Sequence, residues 1–281
     1  MYIRQSDTSL FSLELSSCDG SDSVIMSQMY CLVPITTLRS TPFSLPWGST
    51  IVAKVMARNL YGPSGLSVET PSNQQATILT IPDAPKELAE VLASKTTTSI
   101  GLSWTNGDSN GGATVTSYTI SYSTGGAFTV LQSEVTSASY TATGLTTGTT
   151  YSFKIQSSNS FGISDYSSSF SVLCAFVPVA PLAPTTSVST SNVVITWNAP
   201  SSNGGSPLTS YSIYIRKADL SYSLETNYCD GSNTVILGAA ICTIPFTTLR
   251  ASPFNLILSN PVIAYVVATN IYGNSDPSPT G

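Results

Sequence analysis

The residues best equipped for chemistry in this chain are its five cysteines. Four of them form two pairs, Cys18 with Cys31 and Cys229 with Cys242, each thirteen positions apart. The stretch CDGSDSVIMSQMYC, residues 18–31, returns as CDGSNTVILGAAIC, residues 229–242. Thiols at such spacing can hold zinc or close a disulfide. Zinc sites use Cys-x-x-Cys or mixed Cys and His clusters, and the chain contains no histidine. A disulfide within each pair is the better reading. Each would close a loop of about 14 residues, stabilising by roughly 3 kcal/mol in the loop-entropy treatment, and disulfides imply an oxidising compartment. Cys174 is left over. A small buried strand residue is favoured there over an intermolecular bridge.

Other chemistries fare badly. Without histidine there is no Ser-His-Asp or Cys-His arrangement. The carboxylates are dispersed, and no pair is placed together by sequence for glycoside hydrolysis. The Gly-Gly pairs precede strands rather than helices, so they read as turns and not as phosphate cradles. DGSD and DGSN lack the ligand density of a calcium loop and read as structural turns. No cofactor, metal or catalytic residue is expected. The ten Lys and Arg are scattered and the net charge is −5, which leaves no basic patch for nucleic acid. No apolar run reaches the length of a membrane span, and the opening MYIRQSDTSL has no apolar signal core.

Charged residues make up 9% of the chain, against about 25% in an ordinary soluble protein. Ser, Thr, Gly and Asn fill the gap. Two readings stand: hydroxyls that carry O-glycans, or neutral strand edges that tolerate lateral packing.

The elements that position these residues are repeated. YIRQSD at 2–7 returns as YIRKAD at 214–219, and PITTLRSTPFSL at 34–45 as PFTTLRASPFNL at 245–256. An Asn-x-aromatic-Gly signature sits at Asn59, Asn159 and Asn270, spaced by 100 and 111 residues. Trp104, Asn110-Gly111-Gly112 and Tyr118 recur as Trp197, Asn203-Gly204-Gly205 and Tyr211. Proline-rich joints, IPDAP at 81–85 and VPVAPLAP at 177–184, precede these two blocks. Between turn clusters, segments such as VVITW, YTISYS and YSFKIQSS alternate apolar and polar residues, and no segment shows a sustained helical period. Short alternating strands with regular turn signals read as β-sandwiches.

In order and spacing these residues resemble the fibronectin type III family. The match rests on Trp104 and Trp197, the Asn-Gly-Gly approach to strand C, the Asn-x-aromatic-Gly end of strand F, and Leu145 with Tyr151, which resemble the family's tyrosine corner. The resemblance implies an all-β chain, a tandem array of three sandwich modules at 1–80, 81–178 and 179–281, with sheet ABE packed on GFC. Ile51 and Val262 stand where the corner tyrosine is expected. Modules one and three also carry extra residues, read as one stapled insertion between strands C and E that projects as a hairpin. By alignment, module one lacks strands A, B and most of C, and module three lacks strand G. A window from a longer array and completion by strand donation both remain open.

Cysteine-bearing modules of this length are similar to those of large surface proteins of protists. The function expected is a non-enzymatic rod segment of an extracellular or cell-surface fibre, partnered by copies of itself or by neighbouring modules. An adhesion ectodomain that binds a protein or glycan is the alternative, and an accessory spacer of a carbohydrate-active enzyme is a third. The repeated Thr-Thr-Leu-Arg-x-(Ser/Thr)-Pro-Phe offers Arg39 and Arg250 as a contact loop. Against that stands a plainer role, in which Leu38, Leu249, Phe43 and Phe254 cap the core under the arginine stems.

Overall fold

The computed structural model describes residues 1–6 and 8–281. Module one contributes β1 (Tyr2–Arg4), β2 (Phe11–Leu13), α1 (Ser23–Gln28), α2 (Ile35–Arg39), β3 (Ala53–Lys54), β4 (Arg58–Asn59) and β5 (Gly62–Pro63). Its strands form the antiparallel sheet β2-β1-β3 and the ribbon β4-β5. Ile3, Leu38, Phe43, Leu45 and Ile78 make a small core. Apart from that two-stranded ribbon, no second sheet forms here among the described residues.

Module two contains β6 (Lys86–Val91), β7 (Ile100–Thr105), β8 (Ser117–Ser123), β9 (Thr129–Val135), β10 (Ser139–Ala142), β11 (Thr150–Ser158) and β12 (Phe170–Leu173). They build two antiparallel sheets, β10-β7-β6 and β12-β11-β8-β9. The period-two pattern sets the faces: in β11, Tyr151, Phe153, Ile155 and Ser157 turn inward while their neighbours turn out. Phe153, Ile155, Ile120, Ile100 and Leu102 are fully buried between the sheets, each stabilising by about 1.5–3 kcal/mol relative to exposure. Trp104 meets Tyr118 edge to face at 5.3 Å. The corner is formed as the resemblance implies, with Thr146 N–H donating to Tyr151 Oη at 2.9 Å.

Module three repeats the plan with β13 (Thr185–Ser189), β14 (Asn192–Thr196), β15 (Leu208–Arg216), β16 (Tyr222–Leu224), α3 (Thr234–Ala239), β17 (Ile241–Pro245), α4 (Phe246–Arg250), β18 (Ala264–Asn270) and β19 (Gly273–Asn274). Its sheets are β13-β14-β17 and β16-β15-β18-β19, and Trp197 meets Tyr211 at 5.4 Å as in module two.

The structure corrects three expectations. The cysteine-bounded segment holds a six-residue helix and not a hairpin: Asp22 accepts from Val24 N and Ile25 N to cap α1, and Asn233 accepts from Val235 N to cap α3. Six-residue helices are too short to print a period on the sequence. The extra residues are also divided, with α3 before strand β17 and α4 after it. Finally, residues 275–281 already run along β18. Ser275 N–H donates to Ala268 O, Ser278 N–H to Val266 O, and Gly281 exchanges both bonds with Ala264. Alignment with the longer run after Gly62 in module one had left module three without this strand. It pairs because the hydroxyls of Ser275 and Ser278 accept from the β18 amides at 3.0 and 2.9 Å.

Candidate functional site at the module joints

The repeated motifs converge where one module meets the next. At the first joint the chain leaves module one through residues 78–83. Gly48 N–H, in the turn before β3, donates to Ile78 O at 2.8 Å, and Thr80 N–H donates to Gly111 O at 2.9 Å in module two. Asp83 N–H and Ser109 O close a further bond of 2.9 Å, while Ser109 N–H donates to Asp83 Oδ2. The second joint repeats the three backbone bonds, without the Asp83 side-chain bond, since Val179 stands in that place. Gly148 N–H donates to Cys174 O at 2.8 Å, Phe176 N–H to Gly204 O at 2.8 Å, and Val179 N–H to Ser202 O at 3.0 Å. The proline-rich joints are therefore zipped to the next module rather than free.

The Asn-x-aromatic-Gly asparagine locks each joint from the other side. Asn159 Nδ2 donates to Thr80 O at 2.9 Å and Asn110 O at 2.8 Å. Asn270 Nδ2 donates to Phe176 O at 2.7 Å and Asn203 O at 2.9 Å. One amide thus ties the linker to the Asn-Gly-Gly turn. Its Oδ1 meanwhile accepts from Phe161 N and Gly162 N in one case and Tyr272 N in the other. Both asparagines are buried, so these bonds are costly to lose.

The glycine pair permits the approach. A Cβ on Gly111 would lie 2.2 Å from Thr80 O, and one on Gly204 would lie 2.2 Å from Phe176 O. The second glycine meets the preceding module: a Cβ on Gly112 would lie 2.2 Å from Gly48 N, and one on Gly205 would lie 2.7 Å from Gly148 N. All four have positive φ, which glycine adopts without steric cost. The second joint adds an ionic contact. Lys95 of module two has a side chain only 1% exposed, donates to Glu90 Oε1 at 2.6 Å and sits 4.4 Å over the Tyr272 ring of module three. A desolvated cation over an aromatic face is favourable by about 2 kcal/mol.

With both sheets, the tyrosine corner and the strand-end asparagine in place, residues 83–172 match the family model of the Fibronectin type III domain. Module two is a fibronectin type III domain. The chain is similar to the Kelch domain-containing protein SSO1033 of Saccharolobus solfataricus, 27% identical over 129 residues, which cover 46% of this chain and 17% of that one. It also resembles the solved twitchin kinase region from C. elegans at 26% identity and a TM-score of 0.31, over 34% of this chain and 17% of that one. The chain thus matches 17% of the length of either relative. The fibronectin type III domain supports a structural or binding role in general.

The four paired cysteines lie outside the fibronectin type III match, in the modules that flank it. Both disulfides are formed, with Cα atoms 5.3 Å apart for Cys18–Cys31 and 5.2 Å for Cys229–Cys242. The second is part of the module-three core; it ties the segment before α3 to strand β17. Gly231 serves a close approach there, since Tyr211 N–H donates to Gly231 O at 3.1 Å and a Cβ would lie 1.9 Å from Tyr211 O. Asp19 and Asp230 each accept the amide and hydroxyl of the serine two residues on, so the Asp-Gly-Ser carboxylates are used in local turns.

A carboxylate not singled out by sequence braces the lead-in to each first cysteine. Glu14 accepts from Ser17 N and Cys18 N, both at 3.1 Å, and Glu225 accepts from Asn227 N and Tyr228 N. Burial opposes the charged form of Glu14. The hydrogen bonds from Ser16, Ser17 and Cys18 outweigh it and hold the carboxyl below its usual range. The signal was present as Glu-x-x-x-Cys in both copies.

The contact loop is divided between two distant modules. Leu38, Phe43, Leu249 and Phe254 are buried caps, each 2–3% exposed. Arg39 lays its guanidinium 4.1 Å over the Trp47 ring, and Arg250 lines a cavity at the far end of module three. The structure does not bring Arg39 and Arg250 together. Cys174 is a buried free thiol donating to Thr97 O; it is buried as expected but lies one residue past β12 rather than in a strand.

Proposed function

We propose that the chain is a non-catalytic rod segment of an extracellular or surface fibre. The observation that carries this reading is the joint: the same set of hydrogen bonds, asparagine clamp and glycine contact occurs at both module boundaries. A flexible tether would leave the linker amides to water. A joint repeated in this detail fixes the angle between neighbours and propagates it along the array. Two disulfides are consistent with an oxidising compartment, and low charge suits packing beside like copies or decoration with O-glycans.

Electron microscopy of native, unreduced material tests the reading. Ten residues of strand span roughly 33 Å, so three modules correspond to an axial period on the order of 100 Å. Filaments with that period are expected. Dispersed short rods would overturn the fibre and transfer the reading to adhesion.

A further inference from the structure

The two joints share a turn with a reactivity of its own. Ser109-Asn110-Gly111-Gly112 at the first joint returns as Ser202-Asn203-Gly204-Gly205 at the second, and both asparagines are exposed. An asparagine followed by glycine is open to cyclisation. The glycine nitrogen attacks the side-chain carbonyl carbon, and no Cβ on the glycine obstructs the approach.

Both turns hold the groups that assist this attack. Gly112 N–H donates to Asn110 Oδ1 at 2.9 Å, and Gly205 N–H donates to Asn203 Oδ1 at 3.0 Å. These donors face the oxygen on which negative charge develops in the tetrahedral intermediate. The attacking amides are engaged as well. Gly111 N–H donates to Ser109 Oγ at 3.1 Å, and Gly204 N–H donates to Ser202 Oγ at 3.2 Å, which sets an acceptor on the proton that must leave. A third Asn-Gly, Asn106-Gly107, is arranged otherwise. Asn106 Oδ1 accepts from the Tyr118 hydroxyl at 2.5 Å, and a Cβ on Gly107 would lie 2.5 Å from Asp83 Cβ.

We propose that Asn110 and Asn203 are sites of spontaneous deamidation that release the joints with time. The Gly111 or Gly204 nitrogen bonds to the asparagine Cγ and loses its proton to solvent past the serine hydroxyl. The side-chain nitrogen takes a proton from solvent and leaves as ammonia. Water then opens the succinimide at either carbonyl, giving aspartate or isoaspartate. Isoaspartate routes the backbone through Cβ, which lengthens it by a carbon, and turns the former backbone carbonyl into a free carboxylate. That carbonyl is the one Asn159 and Asn270 clamp. The inference concerns the joints alone and stands whether or not rods assemble into a fibre.

Ageing the full native chain at mildly alkaline pH tests it, read by mass spectrometry of peptides prepared in acid and by labelling with an isoaspartyl methyltransferase. In the folded chain Asn110 and Asn203 are expected to convert at least about tenfold faster than Asn106; in urea the three are expected to convert alike. Ser109→Ala keeps the backbone bonds between residues 83 and 109 and is expected to slow Asn110 while leaving Asn203 unchanged. Hydrogen exchange of the Thr80 amide, which donates to Gly111 O, checks that the turn of this variant is intact. Molecules converted at Asn203 are expected to exchange the Phe176 amide faster than unconverted ones, because that amide donates to Gly204 O. Equal rates at the three sites of the folded chain, conversion in urea alone, or a Ser109→Ala chain that ages like the parent would overturn the assignment. Conversion at Asn203 with unchanged exchange at Phe176 would overturn the release of the joint.

Discussion

At the residue scale, the joint depends on atoms that are missing as much as on atoms that are present. Gly204 is left-handed and lies against Phe176 O, so Gly204→Ala meets both a backbone cost of about 1–3 kcal/mol and a steric clash. Hydrogen exchange of the Phe176 amide is expected to quicken at least about tenfold in that variant, while Gly126→Ala, which opens onto empty space, is expected to leave it unchanged. Asn270→Ala is expected to lower the stability of module three by about 1–3 kcal/mol in denaturant melts, since it strips donors from Phe176 O and Asn203 O. Glu14 adds a pH dependence. Its folded carboxyl titrates below the ordinary 4.5. Its contribution is therefore fully present above the unfolded value and is lost as pH falls through the lower folded one. Melting temperature against pH is expected to drop across that acid range in the parent and to be flatter in Glu14→Gln.

At the element scale, partners decide what a segment becomes. ICTIP forms β17 because β14 pairs with it along five residues, whereas the matching YCLVP in module one has no such neighbour and no strand forms there. The alternating strands and the tyrosine corner were legible because burial on one face writes a period of two. The helices α1 and α3 were not, because their only advance signals were the capping residues Asp22 and Asn233 within runs that also favour turns. The joints were half legible. Asn-Gly-Gly and Asn-x-aromatic-Gly were visible as repeats, but their meeting partner lay some 50 to 90 residues away in sequence. The disulfides followed from equal spacing and the lack of histidine. Replacing Cys229 and Cys242 together by Ser is expected to destabilise module three by about 3 kcal/mol in urea titrations, without changing its sheet signature.

At the scale of the whole molecule, two equal joints make the relation between modules a property of the repeat rather than of one linker. The central claim is that modules two and three are held as one body by backbone bonds across residues 174–179 and by Asn270. Backbone 15N relaxation of the full chain tests this most directly, because amides in both modules report their tumbling independently. The account predicts that one anisotropic rotational diffusion tensor fits residues 83–172 and 185–274 together, and that Gly204→Ala splits it into two. Separate correlation times for the two modules in the parent chain would contradict it.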